Sequence, residues 1–230
     1  MKTEKLMMNK IPVIVWGDKS DKVYIFVHGK MSNKESAEYF AKIADKKGYQ
    51  TISFDLPEHG ERLDKSYRCD VWNGIDDLKC IGEYGFNNWS GVSLFACSLG
   101  AFFSLHAYND RQFKNVLFQS PIVDMEYLIQ QMFCWFGVSE EMLEEKKEIE
   151  TSIDILSWKY FCYVKEHPIQ KWTCPTHILY GAKDTMQSQE IMNLFCDKFQ
   201  CEITVSENSE HSFSGPKDCE IITQWFQDNI

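Results

Sequence analysis

Short runs of β-branched and aromatic residues recur at 13–16, 23–27, 51–54, 92–96, 116–119, 177–180 and 203–206, with longer helix-like segments between most of them. This alternation is what parallel strands joined by crossover helices require. Most of the runs are continuously apolar and do not alternate, so they read as central strands covered on both faces. Between the second and third runs Ser32 precedes Glu35 by three residues, which predicts a capped helix reaching Lys47 with Gly48 as its stop. Further helices are expected over 99–108, 188–199 and 216–228. From Pro121 to Pro175 the alternation stops, and no strand is expected there. That stretch predicts a helical insertion at about 122–172 in a single domain of 1–230, with the charged run 140–150 as a solvated helix face.

With 44% hydrophobic and 25% charged residues, the chain lies far from the composition of disordered proteins. Acidic residues number 34 and basic ones 24, and the resulting net charge of −10 repels phosphate backbones, so nucleic acid is not expected as a partner. The nine cysteines are odd in number and form no C-x-x-C pair, which points away from a zinc site or disulfide framework and towards a reducing compartment. The first ten residues contain no apolar stretch of signal-peptide length, and no segment approaches a membrane span. A cytoplasmic protein is expected.

Ala96-Cys97-Ser98-Leu99-Gly100 joins an apolar strand directly to a helix that opens on small residues. This has the form of a nucleophile elbow, in which Ser needs small neighbours two positions either side because strand and helix backbones nearly collide. A serine hydroxyl becomes a nucleophile only when a base removes its proton and a carboxylate orients that base. Asp184 follows the strand ending at Tyr180, where open α/β sheets place their catalytic groups. His211 lies in a polar loop between the last strand and last helix, and it is the only histidine beyond Asp184. The order Ser98, Asp184, His211 is that of the α/β hydrolases. Asp124 also follows a strand and is a second candidate for the acid; His59 is a second base by residue type alone. The strand ending at Val27 runs into His28-Gly29, which predicts a turn aiming the next amide into the site, with the amide of Leu99 as the second oxyanion donor. His28 is expected to hold that loop by hydrogen bonding.

Over nearly its whole length the chain resembles the α/β-hydrolase fold serine hydrolases. His28-Gly29, Tyr39-Phe40-Ala41-Lys42-Ile43-Ala44, Gly48-Tyr49 and Asp55-Leu56-Pro57-Glu58-His59-Gly60-Glu61 are similar to the HG, helix, GY and D-x-x-GHG-x-S stations of the monoacylglycerol-lipase and carboxylesterase branches. Glu58 stands where those branches have Gly, and Glu61-Arg62 fill the usual small positions. The resemblance implies a mostly parallel sheet with helices on both faces and a helical cap, Ser98 as nucleophile, His211 as base, Asp184 as acid, and oxyanion amides from Lys30 and Leu99. It also places Asp184 ahead of Asp124, because Gly181-x-x-Asp184 is closer to the family's station. Met125, Tyr127, Leu128, Met132, Phe133, Trp135 and Phe136 form an apolar cluster in the insertion, and of these Met125, Leu128, Met132, Phe133 and Trp135 are expected to line a substrate pocket. The expected activity is cleavage of a small carboxylic ester, with no cofactor and no metal. The alternatives are thioester or peptide cleavage on the same groups, or a silent binding module.

Overall fold

The computed structural model describes residues 1–63 and 66–230. In chain order the strands are β1 (Thr3–Met8), β2 (Ile11–Trp16), β3 (Lys22–Val27), β4 (Gln50–Phe54), β5 (Gly91–Cys97), β6 (Val116–Gln119), β7 (Glu148–Glu150), β8 (Ile155–Ser157), β9 (Thr176–Gly181) and β10 (Glu202–Ser206). The helices are α1 (Glu38–Lys46), α2 (Val71–Asn88), α3 (Leu99–Ala107), α4 (Met125–Phe136), α5 (Glu140–Lys146), α6 (Trp158–Glu166), α7 (Gln189–Phe199) and α8 (Asp218–Asn229). Eight strands form one sheet in the order β1-β2-β4-β3-β5-β6-β9-β10, antiparallel at β1-β2 and β2-β4 and parallel elsewhere.

Alternation along the central strands divides the core. Val23, Ile25 and Val27 of β3 face a cluster with Leu78 and Ile81 of α2, Phe103 of α3, Ile129 of α4 and Met192 of α7. Tyr24 and Phe26 face the other side, where Phe40 of α1, Phe95, Phe213 and Trp225 and Phe226 of α8 close a second, aromatic cluster. No helix among the described residues is long and apolar enough to cross a membrane.

Several expectations are corrected. Strand β1 exists although half of its residues are polar and it is largely exposed: it pairs with β2 through a two-residue turn at Asn9 (φ 45°) and Lys10 (φ 69°), a primed turn made without the glycine that normally signals one. Helix α2 was hidden by three glycines, two of which bring it close to α3: a methyl group at Gly74 would lie 2.5 Å from the Phe103 ring, and one at Gly82 2.6 Å from Tyr108. Ser32 caps nothing. Asn33 is extended and a 3₁₀ turn over Lys34–Ala37 precedes α1, because Lys34 is drawn into the interior, where its backbone N–H and its ammonium each meet the Asp55 carboxylate at 2.8 Å. Gly48 ends α1 as expected, at φ 80°.

The insertion is not wholly helical. The run 140–150 is helix only to Lys146; Lys147 turns at φ 66° and Glu148–Glu150 pairs antiparallel with Ile155–Ser157, so a small hairpin stands between α5 and α6.

Candidate active site

β5 delivers Ser98 to the carboxyl end of the sheet in an uncommon backbone conformation, φ 50° and ψ −120°, and α3 starts at the next residue. A side-chain-bearing residue rarely adopts positive φ, and here the surroundings impose it. The Ser98 amide donates to Gln119 O at 3.1 Å, and its carbonyl accepts from Ala101 and Ile122. Gly100 is required by close approach, since a Cβ there would sit 2.5 Å from the His28 carbonyl oxygen. Ala96 is fully buried within β5 and its extra methyl is accommodated.

Two further strand ends supply the partners. Ser98 Oγ lies 2.8 Å from His211 Nε2, and His211 Nδ1 lies 2.7 Å from Asp184 Oδ2. A carboxylate at Nδ1 holds the proton on that nitrogen and leaves Nε2 as the acceptor facing the serine hydroxyl. Asp184 is buried, and its second oxygen accepts from the amides of Met186 at 2.7 Å and Gln187 at 3.2 Å, so the carboxylate is aimed from behind. The His211 loop is pinned in turn by Asp218 at the start of α8, which accepts from Ser209 Oγ at 2.6 Å and the Gly215 amide at 2.8 Å.

The rivals are engaged elsewhere. Asp124 caps α4 by accepting from the Tyr127 amide at 2.9 Å. His59 donates from Nδ1 to Pro57 O and accepts the Met31 amide at Nε2, 3.0 Å away. His28 donates from Nδ1 to Gly29 O at 2.7 Å and accepts the Leu56 amide at Nε2, so both histidines shape the loop after β3. Burial pushes the His28 imidazole down to about 4, which keeps it neutral as these bonds require. Among the described residues neither the Lys30 nor the Leu99 amide donates to a protein acceptor. Leu99 N–H also lies at the N-terminus of α3, where the helix favours negative charge.

The positions that depart from the family pattern carry polar contacts. Glu58, at φ 60° where a glycine is expected, accepts the Cys69 amide at 2.6 Å. Glu61 pairs with Lys34 at 2.7 Å, and Arg62 joins the Asp55 carbonyl to the Asp77 carboxylate.

No protein-family model matches the sequence, and no curated protein is detectably similar to it. Solved structures are similar in shape. The esterase Est1E of Butyrivibrio proteoclasticus, solved with ferulic acid, superposes with a TM-score of 0.79 at 16% identity over 98% of this chain and 96% of its own. A putative hydrolase from Agrobacterium vitis gives 0.78 at 16% identity over 99% and 98%. Mouse alpha/beta hydrolase domain-containing protein 10 gives 0.75 at 17% over 99% and 98%. The chain has the α/β-hydrolase fold.

In this α/β-hydrolase sheet Ser98, Asp184 and His211 follow β5, β9 and β10 at the carboxyl edge, and residues between β6 and β9 line a cavity together with Ser98 and His211. A cavity of about 570 Å³ opens at Ser98 and His211 and is also lined by Lys30 and Leu99. Met125, Leu128, Met132 and Trp135 line it, together with Ile129 on the same helical stripe. Phe133 does not: it lies beside the lining stripe of α4, next to Ile129, and packs edge-on against Phe161, ring centroids 5.1 Å apart.

Sequence reasoning missed two groups at the site. Buried Gln187 accepts the Val123 and Asp124 amides and donates to Asp124 O, tying the Asp184 turn to the start of α4. Asp154, in the hairpin turn of the insertion, pairs with the Lys30 ammonium. Neither has a local sequence signature, since each acts on a residue distant in the chain.

Proposed function

We propose that this α/β hydrolase cleaves carboxylic esters through an acyl-enzyme on Ser98. The observation that carries the reading is the hydrogen-bonded line from Ser98 Oγ through His211 to Asp184, headed by a serine in the φ 50° elbow. Ser98 Oγ attacks the ester carbonyl carbon while its proton passes to His211 Nε2. The carbonyl oxygen becomes an oxyanion received by the Lys30 and Leu99 amides, and Asp184 stabilises the imidazolium. Collapse breaks the bond to the alkoxy oxygen, which leaves with the proton from His211 Nε2. Water then attacks the acyl-enzyme, losing its proton to His211, and the carboxylic acid departs as Ser98 regains a proton. Serine, imidazole and oriented amides suffice for both half-reactions. In this reading residues 122–172 act as a cap on a single domain of 1–230.

Intact mass after treatment with a fluorophosphonate tests the proposal on wild type and Ser98→Ala in parallel. One adduct on wild type and none on the variant is expected. A folded wild type that takes up no adduct would sink the reading and favour a binding role for the fold.

A further inference from the structure

The cavity is not confined to the space beneath α4. Its walls cross the carboxyl edge of the sheet and draw on both hydrophobic clusters. On one side stand Met125, Leu128 and Met132 of α4. On the other stand Tyr39 and Phe40 of α1 with Ile222 and Phe226 of α8. Ser98 and His211 lie between the two arms, and the cavity touches both.

The position of His211 decides which half of an ester each arm receives. Phe213, two residues beyond it, is packed into the same aromatic cluster as Phe40 and Phe226, so the histidine belongs to the α1/α8 side. His211 Nε2 must reach the alkoxy oxygen to protonate it, whereas the acyl carbon stays on Ser98. The departing alcohol therefore lies towards α1 and α8, and the acyl group towards α4. The charged side chains of the cavity wall, among the described residues, are Lys30 and Asp154, which neutralise each other. A substrate carrying a phosphate or carboxylate on either arm would find no unpaired cation there, and the net charge of −10 opposes its approach.

We infer that the substrates are neutral esters with an apolar group of several carbons on each side of the carbonyl, the leaving alcohol bound between α1 and α8 and the acyl group beneath α4. The inference rests on the acyl-enzyme reading above and adds the substrate class to it.

Two ester series measure this by kcat/KM: butanoates of methanol through octanol and benzyl alcohol, and p-nitrophenyl esters from acetate to decanoate. Wild type is expected to prefer the longer or benzyl alcohols over methyl butanoate. Ile222→Trp, which fills the α8 arm, should cut the octyl and benzyl esters relative to methyl by about tenfold or more, on the scale of hydrophobic-pocket discrimination. Leu128→Trp should instead move the acyl-length optimum to shorter chains. Ile222→Ala and Leu128→Ala, which make room and create no overlap, should extend the corresponding preference and keep the test decisive if a tryptophan variant does not fold. An alcohol profile that responds to position 128, an acyl profile that responds to position 222, or profiles that respond to neither would overturn the assignment. So would a wild type that labels at Ser98 yet prefers methyl butanoate, and that outcome leaves the serine-hydrolase reading standing. A wild type that does not label at Ser98 removes that reading itself.

Discussion

Lys30 and Asp154, which are 124 positions apart, are joined by an ion pair that ties the loop after β3 to the hairpin of the insertion. The Asp154 end is shaped locally: Thr151 Oγ1 accepts the Ile153 and Asp154 amides and donates to the Asp154 carbonyl. The Lys30 end belongs to the residue whose amide is the proposed oxyanion donor. The insertion thereby bears on the position of that amide.

Asp154→Asn should lower kcat more than it raises KM, because an oxyanion donor acts on the transition state and little on ground-state binding. Added salt should weaken wild-type turnover and leave the variant less affected, since the pair is partly solvated and screened. The melting temperature should hardly change. Equal salt dependence in the two proteins would detach the ion pair from turnover.

Ser98 sits where glycine would be unstrained, at φ 50°. Ser98→Gly should therefore unfold at a free energy about 1 kcal/mol above that of Ser98→Ala, even after allowance for the greater freedom of glycine in the unfolded chain. Urea denaturation of the two variants reads the difference directly. A more stable alanine variant would mean that the elbow stores no strain at this residue.

The central sheet and the three hydrogen-bonded residues were legible because each depends on a local pattern: an apolar run, then a small or polar turn at its carboxyl end. Ser98, Asp184 and His211 each stand just beyond such a run. What escaped depends on distant partners. Asp154 and Lys30 meet only after the insertion folds back, and the α8 wall of the cavity is made by Ile222 and Phe226, ordinary apolar positions of an amphipathic helix. Ser32 and Glu35 had the spacing of a capping box, but burial of Lys34 against Asp55 re-routed the backbone there. Phe133 had the right composition for the pocket, but its ring is taken up by Phe161 at the side of the lining stripe.

His28 and His106 are both held down to about 4 by burial, and His106 is further lowered by the nearby charge of His167. In the unfolded chain each returns to an ordinary value of about 6.5, so unfolding takes up protons between the two values. Stability contributed by keeping these rings neutral is fully present above pH 6.5 and is lost as pH falls towards 4. For His28 alone the full change is about 3 kcal/mol. Denaturation at pH 7.5, 6 and 5 should show stability falling through this window, most of it before ordinary carboxylates titrate. A flat profile down to pH 5 would refute the assignment.

Lys34 and Asp55 are both buried, and the ammonium also meets Glu35 and Glu61 at the edge of the cluster. Lys34→Met leaves the Asp55 carboxylate without its cation and should destabilise the fold by about 3–5 kcal/mol. The paired change Lys34→Met with Asp55→Leu should cost much less than the sum of the single changes, as a double-mutant cycle would measure. Additive costs would show that the two residues act independently.

β10 is one of the two edge strands of the sheet, opposite β1, and the loop that carries His211 follows it. During synthesis Ser98 emerges from the ribosome 113 residues before His211 and Asp184 only 27 before it, and on the proposed mechanism His211 reaches both only once the edge strand has docked on β9 and α8 has closed over the aromatic cluster. On that proposal turnover reports on completed folding: a chain released before residue 211 would hold most of the sheet and still perform no chemistry, and reactivity of Ser98 in a refolding experiment would time the arrival of the last strand rather than the formation of the core.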